Sequence, residues 1–355
     1  MARNRTAINQ TEAIASLLDQ AGRGGGDFSL HLLKGGSNNK VFRVETPGGP
    51  LLLKVYFRHP NDKRDRLGAE FSFCRFAWGS GLRSVPEPLA SDPLNHLGLY
   101  EFINGRLLEP GEITQEWVEQ ALGFYHELNH YRDKPEAQAL PTASDFCFTI
   151  AQHLECVEKR FRDLKRIDDS LPIHREAQEF VQGELGEAWK RVHESVLRKS
   201  KEMGLPLEKD PFVEDHRLSP SDFGFHNALL TPRGELRFVD LEYAGWDDPI
   251  KTACDFFCLQ AVPVPRDYYD VVLEQVVSDL SNPEIHRERF SLLMPIHLLK
   301  WCCILLNHFL PVGGERRQFA QEKGDRHNLK EIQLGKARAA LQEFYHRTFA
   351  FHGLR

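Results

Sequence analysis

Residues 219–255 read SPSDFGFHNALLTPRGELRFVDLEYAGWDDPIKTACD. In this stretch Asp222 is followed by Asn227, a polar turn occupies Thr231-Pro232-Arg233-Gly234, and the run Glu235–Val239 ends at Asp240. Phosphoryl transfer needs groups in that order. One carboxylate takes the proton of an attacking hydroxyl, while an amide oxygen and a second carboxylate hold Mg²⁺ against nucleotide phosphates. The spacing puts Asp222 and Asn227 on one tight loop. It makes 235–239 the strand that returns Asp240 beside them.

These residues resemble the aminoglycoside phosphotransferase and choline kinase-like family, whose architecture is shared with protein kinases. The family's signature is a His-x-Asp-x-x-x-x-Asn loop, a hairpin, an apolar strand ending in Asp, and an acidic Asp-Pro…Asp tail. Asp222, Asn227 and Asp240 match it residue by residue, and Asp248-Pro249 with Asp255 match the tail. Pro220 stands where the family usually has His, a residue read as a brace of the loop rather than a participant in the chemistry. The resemblance implies an α+β, protein-kinase-like fold of two lobes, with a small antiparallel sheet ahead of about Gly105 and a mostly helical lobe after it. It implies ATP and Mg²⁺ as cofactors, Asp222 as base, and Mg²⁺ held by Asn227 and Asp240. The acceptor would be a hydroxyl of a small molecule such as a sugar, an amino alcohol or a sugar-containing metabolite. The alternative is a pseudokinase that binds nucleotide without turnover, which the Pro220 departure keeps open.

A protein kinase fits fewer residues. Asp222-Phe223-Gly224 spells the metal-binding triplet of that class, and His216-Arg217 resembles the start of its catalytic loop. Leu218 stands where the catalytic Asp would be, no strand or Asn fits between the two pieces, and no Ala-Pro-Glu element follows.

Upstream, three strand-like runs (Phe28–Leu33, Lys40–Glu45, Leu51–Phe57) precede the helical pattern of Lys63–Trp78, and Val85–Ala90 and Leu97–Phe102 supply further strands. Gly35-Gly36-Ser37-Asn38 lies between the first two runs, where backbone N–H groups and small side chains can approach phosphate oxygens. Lys54 closes the run Leu51-Leu52-Leu53, as the phosphate-gripping lysine does in kinase-like folds. Alternation turns it away from Leu53 and Val55. Glu70 is the candidate partner that orients it. Leu99–Ile103 resembles the family's linker between lobes, which implies that backbone groups of Glu101 and Ile103 read the adenine edge. The expected organisation is a lead-in helix and Gly-rich segment (1–26), a nucleotide-binding lobe (27–104), and a helical lobe with catalytic loop and acceptor site (105–355). Helices are expected at Phe146–Leu164, Arg175–Lys201, Tyr268–Leu280, Arg287–Phe309 and Leu329–Thr348.

With 355 residues, 41% of them hydrophobic, the chain can bury a full core. A net charge of −6 and a pI near 6.3 argue against a general nucleic-acid binder, which depends on phosphate neutralisation by Lys and Arg. The seven cysteines show no metal spacing and read as small buried hydrophobes in a reducing compartment. The N-terminus is charged and polar throughout, unlike a signal peptide. Trp301–Leu310, the longest apolar stretch, is broken by Asn307 and His308 and is too short to span a bilayer. The expectation is a soluble, cytoplasmic protein with no membrane partner. Trp301, Asn307 and His308 could line an acceptor pocket, and a core role for Trp301 is equally compatible with the pattern. The C-terminal helices mix Arg287, Arg289, Lys300, Arg316 and Arg317 with Glu288, Glu315 and Glu322, a balance that favours a neutral or anionic acceptor over a polycationic one.

Overall fold

The computed structural model of the chain describes residues 2–33, 38–320 and 326–351. Helix α1 (Ala2–Gln20) leads into strands β1 (Ser29–Leu32), β2 (Lys40–Glu45) and β3 (Leu51–Val55), then helix α2 (Arg66–Gly79), then β4 (Pro88–Asp92) and β5 (Leu97–Glu101). The strands form one antiparallel sheet in the order β1-β2-β3-β5-β4. The turn expected at Thr46–Pro50 forms the β2–β3 hairpin. Gly49 adopts φ +103° there, a region closed to most side chains, and its N–H donates to Thr46 O at 3.0 Å. Gly98 lies opposite Lys54 on β5, and a Cβ there would come within 2.7 Å of the Tyr100 ring.

The helical lobe holds α3 (Gln115–His130), α4 (Pro135–Gln138), α5 (Ile150–Leu164), α6 (Pro172–Phe180), α7 (Gly186–Glu202), α8 (Pro249–Cys258), α9 (Tyr269–Val277), α10 (Pro283–Leu305), α11 (Pro311–Ala320) and α12 (Arg326–Phe351). Short strands complete it: β6 (Arg106–Leu107), β7 (Arg217–Ser219), β8 (Ala228–Leu230), β9 (Leu236–Phe238) and β10 (Gly245–Asp247). β6, β8 and β9 form one small sheet, and β7 with β10 another. Three expectations need adjustment. The pattern 175–201 is two helices rather than one, because Gly183 leaves helical geometry (φ −88°, ψ −105°) within a wide turn at Val181–Leu185. The segment at Trp301 is the end of a longer element. Pro283–Phe309 is long and apolar enough to cross a membrane, but 67% of its apolar window is buried inside the protein. Finally, 329–348 sits inside the longer α12.

Among the described residues two apolar cores result. On one face of the sheet, Ile14, Leu17 and Leu18 of α1 pack with Val44, Leu51, Leu53, Val55, Leu97 and Leu99. On the other face, Phe73 and Phe76 of α2 and Tyr100 of β5 belong to the same cluster as the core of the helical lobe, including Leu122, Phe124 and Leu128 of α3 and Phe238. None of the seven cysteines is disulfide-bonded; all but the half-buried Cys156 are buried.

Candidate active site

The alternation along β3 that sends Leu53 and Val55 into the α1 core sends Lys54 toward α2. Asp65 caps α2, its side chain accepting from the Gly68 N–H, and this sets Glu70 in the second turn, facing the strand. Lys54 Nζ donates at 2.6 Å to Glu70 Oε2 and at 2.6 Å to Asp240 Oδ1. Burial works against the Lys54 ammonium, but the carboxylates of Asp240 and Glu70 outweigh it and hold its pKa well above the usual lysine range. The lysine is a fixed cation. Tyr56 OH donates to Glu70 Oε2 at 2.8 Å and lies 2.7 Å from Tyr100 OH, so both Glu70 oxygens are committed once the Leu241 N–H reaches Oε1 at 3.3 Å.

The loop that carries Asp222 and Asn227 hangs from β7. Asn129 of α3 grips both backbone groups of Leu218, accepting from its N–H at 2.8 Å and donating to its carbonyl at 2.9 Å. Thr252 donates to Ser219 Oγ at 2.9 Å, and that oxygen accepts the Ser221 N–H at 3.0 Å. Pro220 lies between these two anchors, so the loop is braced without a side-chain hydrogen bond from position 220. Ser221 and Asp240 both take positive φ, +67° and +61°, and each lies at or next to a residue expected to do chemistry.

Asn227 Nδ2 donates to Asp222 O at 3.1 Å and to Asp222 Oδ2 at 3.3 Å, closing the loop. His226 Nε2 lies 3.4 Å from the same Oδ2. Burial pulls the His226 pKa down, yet the hydrogen bond to Asp222 and its charge prevail and leave it raised. Asp222 Oδ1 is buried and has no hydrogen-bond partner among the described residues. The 228–238 hairpin then returns the chain, with the Val239 N–H donating to Asn227 O at 2.8 Å, which fixes Asp240 beside the loop.

The sequence-predicted nucleotide residues fall as follows. Gly35, Gly36 and Ser37 lie outside the described residues. Asn38 places its amide on Glu242 Oε1 (2.7 Å) and Tyr243 OH (3.0 Å). The Glu101 N–H donates to Glu87 O at 2.9 Å, and its carboxylate holds Arg237 Nη2 at 2.7 Å across the lobe junction. Ile103 is buried, and its N–H has no partner among the described residues.

Residues 29–290, from β1 into α10, match the phosphotransferase enzyme family (APH). The chain belongs to that family. It is therefore a phosphotransferase, with the kinase-like fold of that family. No curated protein sequence matches it. Among solved structures it is similar to a choline/ethanolamine kinase family protein from Mesorhizobium loti, with 17% identity, TM-score 0.56, and 96% of this chain and 98% of that one covered. The choline kinase of Streptococcus pneumoniae gives 15%, 0.58, and 96% and 99%. A spectinomycin phosphotransferase solved with ADP and spectinomycin gives 13%, 0.59, and 94% and 98%. At these identities the likeness speaks for the fold.

This phosphotransferase offers oxygen donors suited to a hard cation. Hydrogen bonds among the described residues engage Asn227 through Nδ2 and Asp240 through Oδ1, leaving Asn227 Oδ1 and Asp240 Oδ2 open. Among the described residues no cluster of three or more His, Cys, Asp or Glu could hold a metal. Mg²⁺, which retains waters and phosphate oxygens and takes one or two carboxylates from a protein, is a cation that the two open oxygens could hold.

Asp248 and Asp255 lie apart from this constellation. Asp248 caps α8 through the Ile250 N–H (2.8 Å) and pairs with Arg289 and His153. Asp255 pairs with Lys300 and accepts from Trp301 Nε1 at 3.0 Å. This changes the reading of the acceptor side. Arg289 and Lys300 are buried and neutralised in these pairs, so they are not free charges facing an acceptor. Two of the five basic residues in the balance of charges along the C-terminal helices are therefore withdrawn from it.

The sequence reading passed over Asn129 and Glu242. Asn129 continues the buried stripe of α3 (Val118, Ala121, Leu122, Tyr125, Leu128), where a polar residue signals a buried hydrogen-bonding task. Glu242 is an acid inside the otherwise apolar run Leu241–Ala244, a signal of the same kind.

Proposed function

We propose that the protein transfers the γ-phosphate of ATP to a hydroxyl of a small molecule, with Asp222 as base and Mg²⁺ held by Asn227 and Asp240. The observation that carries the reading is the convergence of Lys54 on Asp240 at 2.6 Å, beside a loop whose Asp222 Oδ1 is buried and unpartnered. A buried carboxylate oxygen without a donor is costly unless a ligand supplies one, and an acceptor hydroxyl is such a donor. Glu70 orients Lys54 for the α- and β-phosphates, the 35–38 turn covers them, and the backbone at Glu101 and Ile103 meets the adenine edge. Bound Mg²⁺ supplies neutralising charge for the phosphates. Asp222 orients the hydroxyl and takes its proton late, because the transition state is loose and calls for little base strength. Positioning and charge stabilisation then provide most of the acceleration.

The test is phosphate transfer from ATP, with and without Mg²⁺, to a panel of amino alcohols including choline, sugars, and aminocyclitols including spectinomycin. In the same experiment MgATP should raise the melting temperature, since a ligand at a hundredfold its Kd stabilises the folded state by about 2.7 kcal/mol. Absence of both the shift and any transfer would remove the proposal.

Pro220 gives a second test. With Leu218 held by Asn129 and Ser221 by Ser219, a side chain at 220 is not needed to shape the loop. Pro220→His should therefore leave turnover within about tenfold of the parent, because no interaction unique to the transition state changes. If ATP turnover appears only in the Pro220→His variant, the parent is a nucleotide-binding protein without turnover.

A further inference from the structure

We infer that Glu242 is a positioning residue of this site, a clamp that fixes Asn38 and Asn39, at the entry to β2, relative to Asp240. The inference rests on the proposed function. Glu242 is 0% exposed, and both of its oxygens are taken by consecutive asparagines of the other lobe. Asn38 Nδ2 donates to Oε1 at 2.7 Å, and Asn39 Nδ2 donates to Oε2 at 2.5 Å. Asn39 is itself held at its far end, its Oδ1 accepting the Phe57 N–H at 3.1 Å. Arg66 Nε lies 3.5 Å from Glu242 Oε1 and supplies the nearest positive charge. Burying a carboxylate carries a large desolvation cost, which charge-assisted hydrogen bonds offset only when their geometry is held. The carboxylate therefore favours one placement of Asn38 and Asn39, and with them the entry to β2.

What makes this positioning rather than packing is its place in the chain. Asp240, Leu241 and Glu242 are consecutive, and each makes a separate contact across the cleft: Asp240 with Lys54, the Leu241 N–H with Glu70, and Glu242 with the two asparagines. Three such points fix both the position and the orientation of the segment against the sheet. The first two set where the lysine and the metal-binding carboxylate stand. The third sets where Asn38 and Asn39 stand relative to them. Because donors occupy both Glu242 oxygens, the residue serves as an anchor and not as a metal ligand.

The test exchanges the polarity of the clamp in the full-length protein. In Glu242→Gln one asparagine NH₂ meets an NH₂, so a hydrogen bond becomes a donor–donor contact. In Glu242→Gln/Asn39→Asp the Gln NH₂ donates to the Asp carboxylate, Asn38 still donates to the Gln carbonyl, and Phe57 N–H keeps its acceptor. Glu242→Gln should raise KM for MgATP about tenfold, the size of one charge-assisted hydrogen bond, with KM for the acceptor unchanged. Amide exchange over residues 38–42 should accelerate by about tenfold as well. The double variant should return both readouts to within about threefold of the parent. Asn38→Ala, which removes one arm at a half-buried position, should raise KM for MgATP by about threefold without impairing folding. The inference is overturned if Glu242→Gln and Asn38→Ala leave MgATP affinity and exchange unchanged. It is also overturned if the double variant stays as impaired as the single one while the Mg²⁺ requirement rises, which would make Glu242 a metal ligand. Should the parent bind no MgATP, the proposed function fails, and the exchange readout alone decides the clamp.

Discussion

Asp222→Asn is expected to leave MgATP binding intact and to lower phosphate transfer by roughly 10²–10⁴-fold, the usual contribution of a positioned acid–base group. That loss corresponds to about 3–5 kcal/mol of barrier. The substitution preserves size and hydrogen-bonding shape, and Asn227 still has an oxygen to which it can donate, so the loop keeps its closure. What disappears is the proton acceptor and the charge beside His226. Because that charge helps raise the His226 pKa, the variant should also show the histidine titrating at lower pH. Single-turnover transfer, MgATP titration and an NMR pH titration of the histidine check the three parts. Full turnover in the variant would show that Asp222 is not the base.

Asp240→Ala is expected to remove the Mg²⁺-dependent part of the stabilisation by ATP, so that MgATP and metal-free ATP shift the melting temperature alike. At a hundredfold excess over Kd the whole stabilisation by MgATP is about 2.7 kcal/mol, which is the ceiling on the part lost. Two side effects have to be separated from this. Lys54 loses one of its carboxylates but keeps Glu70, and Ala takes φ +61° less readily than Asp, a strain of about 1 kcal/mol. Asp240→Asn controls for the second, since Asn tolerates the left-handed region. Equal metal dependence in the parent and both variants would mean that Asp240 does not bind the metal.

The juxtaposition of the proposed site residues could be read in the sequence because it is local. Asp222, Asn227 and Asp240 are tied by a short hairpin, and hairpin spacing survives as a pattern of polar turn and apolar strand. The alternation that pointed Lys54 away from Leu53 and Val55 was legible for the same reason. Contacts that cross the fold were not. Asn129 reaches Leu218 over 89 residues, and Glu242 reaches Asn38 over 204, separations at which no periodicity carries information. The charges of Arg289 and Lys300 misled because composition cannot tell a solvated charge from one buried against Asp248 or Asp255. The break at Gly183 was invisible for a related reason: a glycine tolerates helix and kink alike, and the packing around it decides.

The way the apolar cores divide has a bearing on recombining this chain with its relatives. A crossover at Ile103–Gly105 looks like the natural joint, yet Phe73, Phe76 and Tyr100 ahead of it share one cluster with Leu122, Phe124 and Phe238 behind it. An N-terminal segment borrowed from another family member would bring a foreign set of side chains to that shared surface, with voids and overlaps at close-packed density. The exchangeable layer is thinner. It is α1 with the sheet face built on Val44, Leu53 and Leu99, whose buried cluster is distinct from that of the helical lobe and meets that lobe through the half-buried Phe319 of α11. A library of hybrids that keeps α2 and its facing residues with the C-terminal parent should therefore fold more often than one cut at the apparent hinge.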